Sequence, residues 1–110
     1  MSEDTSFSPE DLYHQAWRLY SDRKFHEAAR VFEQAIAVRP SEPDYLYALG
    51  LTLEAAGEGQ KAVGAFQKAI AGLPNVENKA RAGMLQRMAQ GHINKITTGD
   101  WGTVSPIKEA

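Results

Sequence analysis

His14, His26 and His92 are the side chains of this 110-residue chain best suited to metal binding or proton transfer, and their placement supports neither. No two stand four residues apart on one helix face, and no carboxylate recurs beside them at a metal-ligand interval. Each therefore reads as a helix-surface or boundary histidine. Gly57-Glu58-Gly59 has neither a preceding strand nor a following Lys-Ser/Thr, so it does not make a phosphate-binding loop. The chain has no cysteine, which removes thiolate nucleophiles, disulfides and cysteine-ligated zinc or iron–sulfur centres together. No Ser-His-Asp order can be assigned on short helices. The expectation is no catalytic residue, no metal and no cofactor. What remains is recognition chemistry: Tyr13, Trp17, Tyr20 and Tyr47 are of the residue types that most often anchor protein interfaces.

The elements that would carry these side chains are legible from a self-comparison. Shifted by 34 residues, Pro9, Leu12, Tyr13, Leu19, Ala28, Phe32, Ala35, Ile36, Ala37 and Pro40 fall on Pro43, Leu46, Tyr47, Leu53, Ala62, Phe66, Ala69, Ile70, Ala71 and Pro74. Background composition would give roughly two such identities in a window of that length. A period of 34, with small and apolar residues at helical spacing and terminal prolines, is the signature of a helix–turn–helix solenoid.

Each repeat divides into two helices. Ser8 is a candidate N-cap with Pro9 in the first helical position, where its missing N–H costs nothing. The first helix is expected over 9–21, with Leu12, Ala16 and Leu19 on one face, and the second over 25–38, with Ala28, Val31, Phe32, Ala35 and Ile36 as its stripe. The second repeat gives helices over 44–56 and 60–71, ending in Gly72-Leu73-Pro74. Gly50 stands where the first repeat has Ala16 and lets its two helices approach closely. Gly64 has no evident packing duty and costs up to about 1 kcal/mol relative to alanine. Asn75 can cap a lone third helix over 76–97 that covers the second repeat. Leu85, Met88, Ala89, His92, Ile93 and Ile96 give that helix a longer apolar stripe than covering one repeat would use.

The composition, 43% apolar and 24% charged, suits a single small soluble domain. The polar, acidic start has no signal-peptide pattern, and no apolar run spans a bilayer, so a cytoplasmic protein is expected. A net charge of −2 lacks the basic excess that phosphate backbones demand, which argues against nucleic acid as a partner.

The repeated residues resemble the tetratricopeptide repeat family from Pro9 to Pro74. Leu12, Ala16, Leu19, Phe25, Ala28, Phe32, Ala35 and Pro40 fit its pattern, as do Leu46, Gly50, Leu53, Ala62, Phe66, Ala69 and Pro74. Gly59 departs from it where an aromatic is usual, which should loosen the second turn. The truncated third unit keeps Ala80 and Met84. The resemblance implies an all-α, right-handed solenoid of helical hairpins: two repeats over 9–42 and 43–76, a capping helix over 76–97, and tails over 1–8 and 98–110.

The same resemblance implies a concave groove lined by one face of the first helix of each unit. The matching positions are Glu10, Tyr13, Trp17 and Tyr20, then Asp44, Tyr47, Leu51 and Glu54, then Asn78, Arg81, Leu85 and Met88. This surface predicts an apolar peptide as ligand and a non-catalytic adaptor, scaffold or chaperone role. An alternative is that Trp17 and Tyr20 only pack within the domain. The carboxylate clamp by which some family members grip the C-termini of heat-shock chaperones needs inward Lys and Asn, and Tyr13, Trp17 and Leu51 stand there instead. The stretch from Asp11 through Phe32 is also similar to the first repeat of the chaperones of bacterial type III secretion, whose clients are apolar translocators. A third reading is a self-assembling subunit. Leaving about 400 Å² of apolar helix face in water would forgo about 10 kcal/mol, so His92, Ile93, Ile96 and Trp101 are a possible oligomer or tail contact.

Overall fold

The computed structural model describes residues 8–100, and Trp101 lies outside them. The described residues form five α-helices: α1 (Pro9–Ser21), α2 (Phe25–Val38), α3 (Pro43–Ala55), α4 (Gly59–Ala71) and α5 (Lys79–Thr98), with a short 3-10 turn at Leu73–Asn75 before the last. Helix α1 packs on α2 and α3 on α4 as hairpins; α2 then packs on α3 and α4 on α5. The chain is thus a stack of helical hairpins in which each element touches its sequence neighbours, as in a solenoid.

Local signals set the helix starts. The Ser8 hydroxyl accepts a hydrogen bond from the Asp11 amide at 3.1 Å, and Pro9 and Pro43 both occupy the first turn of their helices. The hairpin turns repeat as well. Arg23 has φ +62° and Gly57, 34 residues on, has φ +83°. At both turns an amide reaches back five residues, Lys24 N–H to the Leu19 carbonyl at 2.9 Å and Glu58 N–H to the Leu53 carbonyl at 2.8 Å. This is the Schellman closure, and it needs a left-handed residue at the turn. Glycine meets that need freely, whereas arginine is strained there.

The main core cluster draws on all five helices, with two smaller clusters beside it. Phe32 and Phe66 are fully buried at equivalent sites in the cluster that also holds Ala16, Ala28 and Ala62, while Ala35 packs with Leu12 and Tyr45. A Cβ on Gly50 would lie 2.6 Å from Phe66 Cε1, so the close approach expected of this glycine is real. Gly64 faces open space on the wall of a cleft of about 360 Å³ between α2 and α4, floored by Leu46, Leu49 and Leu53. Thr52 is the buried polar residue of this core, and its hydroxyl donates to the Ala48 carbonyl at 2.8 Å within its own helix.

The third unit departs from the expected pattern. Asn75 belongs to the 3-10 turn, and Asn78 is the cap, its side-chain oxygen accepting from the Arg81 amide at 3.0 Å. Helix α5 therefore starts 36 residues after α3, whereas α3 starts 34 after α1. Two residues are about 200° of helix rotation. Ala80 and Met84, matched to core positions by a strict period, are consequently exposed, and the buried stripe is Ala82, Leu85, Ala89 and Ile93. Nearly all of the apolar stripe read from the sequence is spent on the second repeat. Among its members only Met88, 41% exposed, is left largely outside.

The departure at Gly59 has a related cause. A Cβ there would stand 3.1 Å from Ile96 Cγ2. In the first repeat the equivalent Phe25 ring packs on Tyr20 at 5.2 Å. In the second, α5 has filled that corner and glycine leaves room for it. The turn keeps the same hydrogen bonds as the first.

Candidate functional site

Helix α1 presents Tyr13, Trp17 and Tyr20 at spacings of four and three, and each ring is seated by a partner from beneath or beside it. Tyr13 stacks on Tyr45 at 4.8 Å and meets Phe32 edge-on at 5.8 Å. Trp17 stands on Phe32 at 5.2 Å, and Tyr20 leans on Phe25 at 5.2 Å. Along the surface the rings alternate in orientation: Tyr13 and Trp17 are 88° apart at 6.1 Å, and Trp17 and Tyr20 are 70° apart at 5.1 Å. Helix α3 adds Tyr47, which rests on Phe66 at 5.6 Å, and half-buried Leu51. All five side chains are half-buried and in contact with the core, so they form a fixed surface rather than mobile flaps.

Burial holds the Tyr47 phenol above its ordinary value, and the neighbouring Glu54 carboxylate and Tyr20 phenol add to the rise. Tyr45 is raised as well, chiefly by burial. These phenols therefore stay protonated and able to donate across the neutral range. None of the hydroxyls of Tyr13, Tyr20 and Tyr47, nor the Trp17 indole N–H, donates to a described residue, and none is sealed from solvent.

Ion pairs frame the aromatic strip. Arg39 lies 2.8 Å from Glu10, whose carboxyl is held below its ordinary value by a hydrogen bond to its own backbone amide and by that guanidinium. Asp44 of α3 binds Arg81 of α5, which holds the guanidinium pKa above its usual value. Glu54 pairs with Lys95 Nζ at 3.6 Å and lies 2.8 Å from His92 Nδ1. These contacts pin α5 against α3, although each exposed pair contributes about 1 kcal/mol or less.

Not every expected groove residue is where a strict repeat would put it. Leu85 turns inward with Leu73 and Ala82, packed by Tyr47, Ile70 and Val76, because of the two-residue offset of α5. Asn78 caps its helix. Arg81 and Met88 remain outside, the first paired with Asp44. The residues read as an oligomer or tail contact face their own chain: Ile93 is buried, Ile96 packs at Gly59, and His92 lies flat on Phe66 at 5.1 Å with 12° between the rings. His92 is thus a boundary histidine at the edge of the core, whereas His14 and His26 are exposed. Its long-range partner Glu54 gave no local signal. Tyr45, which fixes Tyr13, was also missed; its pairing crosses from one repeat to the next.

Among the described residues no group of three or more His, Asp and Glu could hold a metal ion. No helix among them is long and apolar enough to cross a membrane. No curated protein and no solved structure gives a match. A family model described as tetratricopeptide repeat matches residues 13–77, more than half of the chain. Tetratricopeptide repeats are in general non-catalytic modules for binding other proteins, and with hairpins, repeated turns and match in agreement, this chain belongs to the tetratricopeptide repeat family.

Proposed function

We propose that this chain is a protein-interaction module that takes an apolar segment of a partner protein across the face formed by Tyr13, Trp17, Tyr20, Tyr47 and Leu51. The observation that carries the reading is the seating of these rings: each is locked by Phe32, Phe25, Tyr45 or Phe66 and still reaches solvent. Rings held in place lose little freedom on binding, which is the condition under which aromatic contacts yield affinity. Tyr and Trp anchors of this kind are each worth about 2 kcal/mol or more in a complex. No catalytic step is assigned to the face, since its polar groups are phenols, an indole and carboxylates already paired.

The test is differential capture. Partners retained from a cell lysate by the wild-type chain are expected to be lost by a Trp17→Ala/Tyr47→Ala variant whose helical circular dichroism is unchanged. A second variant, Leu51→Glu, adds charge to the same face without removing a ring from Phe32, and is expected to lose them too. Equal capture by both variants would place the binding surface elsewhere.

A further inference from the structure

We infer that the segment bound on this face is proline-rich and extended, in the polyproline II conformation. The inference rests on the reading of the aromatic strip as a peptide site and specifies its ligand.

The first argument concerns backbone groups. The walls of the strip are helices α1 and α3, whose N–H and C=O groups are consumed within each helix. They offer no sheet edge, so the N–H groups of a bound β-strand would lose hydrogen bonds to water and find no backbone acceptor in return. A proline-rich segment avoids much of this difficulty, because proline has no N–H to satisfy. Its free carbonyls need donors, and donors are what the strip supplies: the Tyr13, Tyr20 and Tyr47 hydroxyls and the Trp17 indole, which can only donate. A bound helix would present an apolar face with its carbonyls already used. Those four donors would then exchange water for carbonyls already bonded once, which are poorer acceptors than the free carbonyls of an extended chain.

The second argument is shape. Tyr13, Trp17 and Tyr20 stand at 88° and 70° to one another in succession, at 6.1 and 5.1 Å, so the surface is corrugated. Compact pyrrolidine rings fit between crossed aromatic faces, and polyproline II is already extended before binding, so ordering it costs little. Charge is neutral in this matching: Glu10, Asp44 and Glu54 are each paired with an Arg or Lys at the margins, which leaves the centre to uncharged contacts.

The experiment uses the full chain carrying Trp101→Phe, so that Trp17 is the single tryptophan. Its fluorescence is followed while three capped ten-residue peptides are titrated: decaproline, an amphipathic Leu/Lys helix, and a Gly/Ser chain. Decaproline is expected to shift the emission saturably and the other two are not. A Tyr13→Phe/Tyr20→Phe/Tyr47→Phe variant keeps the rings and removes the hydroxyls, and is expected to bind decaproline about tenfold more weakly or worse. Binding of the helical peptide in preference to decaproline would overturn the inference and leave the face itself intact. So would no response to decaproline from a chain whose Trp17→Ala/Tyr47→Ala variant still loses its captured partners. Unchanged affinity in the triple variant would overturn the donor argument, and with it the inference.

Discussion

Arg23 and Gly57 do the same work in the two hairpin turns with different amounts of strain. Both take left-handed backbone angles, and both support an amide that reaches back five residues. For Arg23 this conformation costs about 1 kcal/mol, offset in part by the guanidinium lying 5.9 Å from the Phe25 ring centre. An Arg23→Gly variant is expected to be more stable by about 0.5–1 kcal/mol. The urea midpoint should rise at constant slope; a fall would mean that the cation–ring contact outweighs the strain. The turn was legible as Asp22–Lys24 in the sequence, but its strain was not, because backbone sign is invisible unless glycine marks it. Other single-residue readings divide the same way. Ser8 was legible as a cap because its partner is three residues away. Tyr45 and His92 were not, because the rings they lie on, Tyr13 and Phe66, are distant in the chain.

At the scale of elements, α1 to α4 begin and end within a residue of where periodicity and punctuation put them. The third unit does not follow, and the reason is the 3-10 turn at Leu73–Asn75. No residue pattern distinguished that turn from an early cap at Asn75, and two residues were enough to bring Leu85 inward and leave Met84 outside. The corner at Gly59 shows how closely α5 is fitted. A Gly59→Phe variant restores the family's aromatic and drives it into Ile96, 3.1 Å from the position of the first added carbon. Overpacking of this kind is expected to cost about 1–3 kcal/mol. Combining it with Ile96→Ala should recover part of that loss, so the double variant is less destabilised than the sum of the two. Strict additivity, by chemical denaturation of all four chains, would mean that the two residues do not share the site.

For the molecule as a whole, stability should be sensitive to alkali through its buried phenols. Tyr45 and Tyr47 both have folded values raised above the ordinary one, by burial first. The sign follows: their contribution is complete below the unfolded value of about 10 and is lost as pH rises through the folded values. The thermal midpoint should hold from pH 7 to 9 and fall beyond 10, and the fall should be shallower in a Tyr47→Phe chain. A midpoint indifferent to pH up to 11, or an unchanged slope in that variant, would remove the phenols from the account. The same burial that makes these rings titrate late gives the candidate face its permanence. Face and core share side chains, because Tyr13, Trp17 and Tyr47 each touch Phe32 or Phe66.

The spacing of α5 has a consequence for growth. An array of identical units is a periodic lattice in one dimension, and adding a unit means presenting the next copy with the same phase. Helix α5 arrives two residues late and Ile96 already fills the corner at Gly59, so the lattice presented beyond it is dephased. A copy of residues 43–76 grafted after α5 would inherit that phase error. One grafted between α2 and α3 would not.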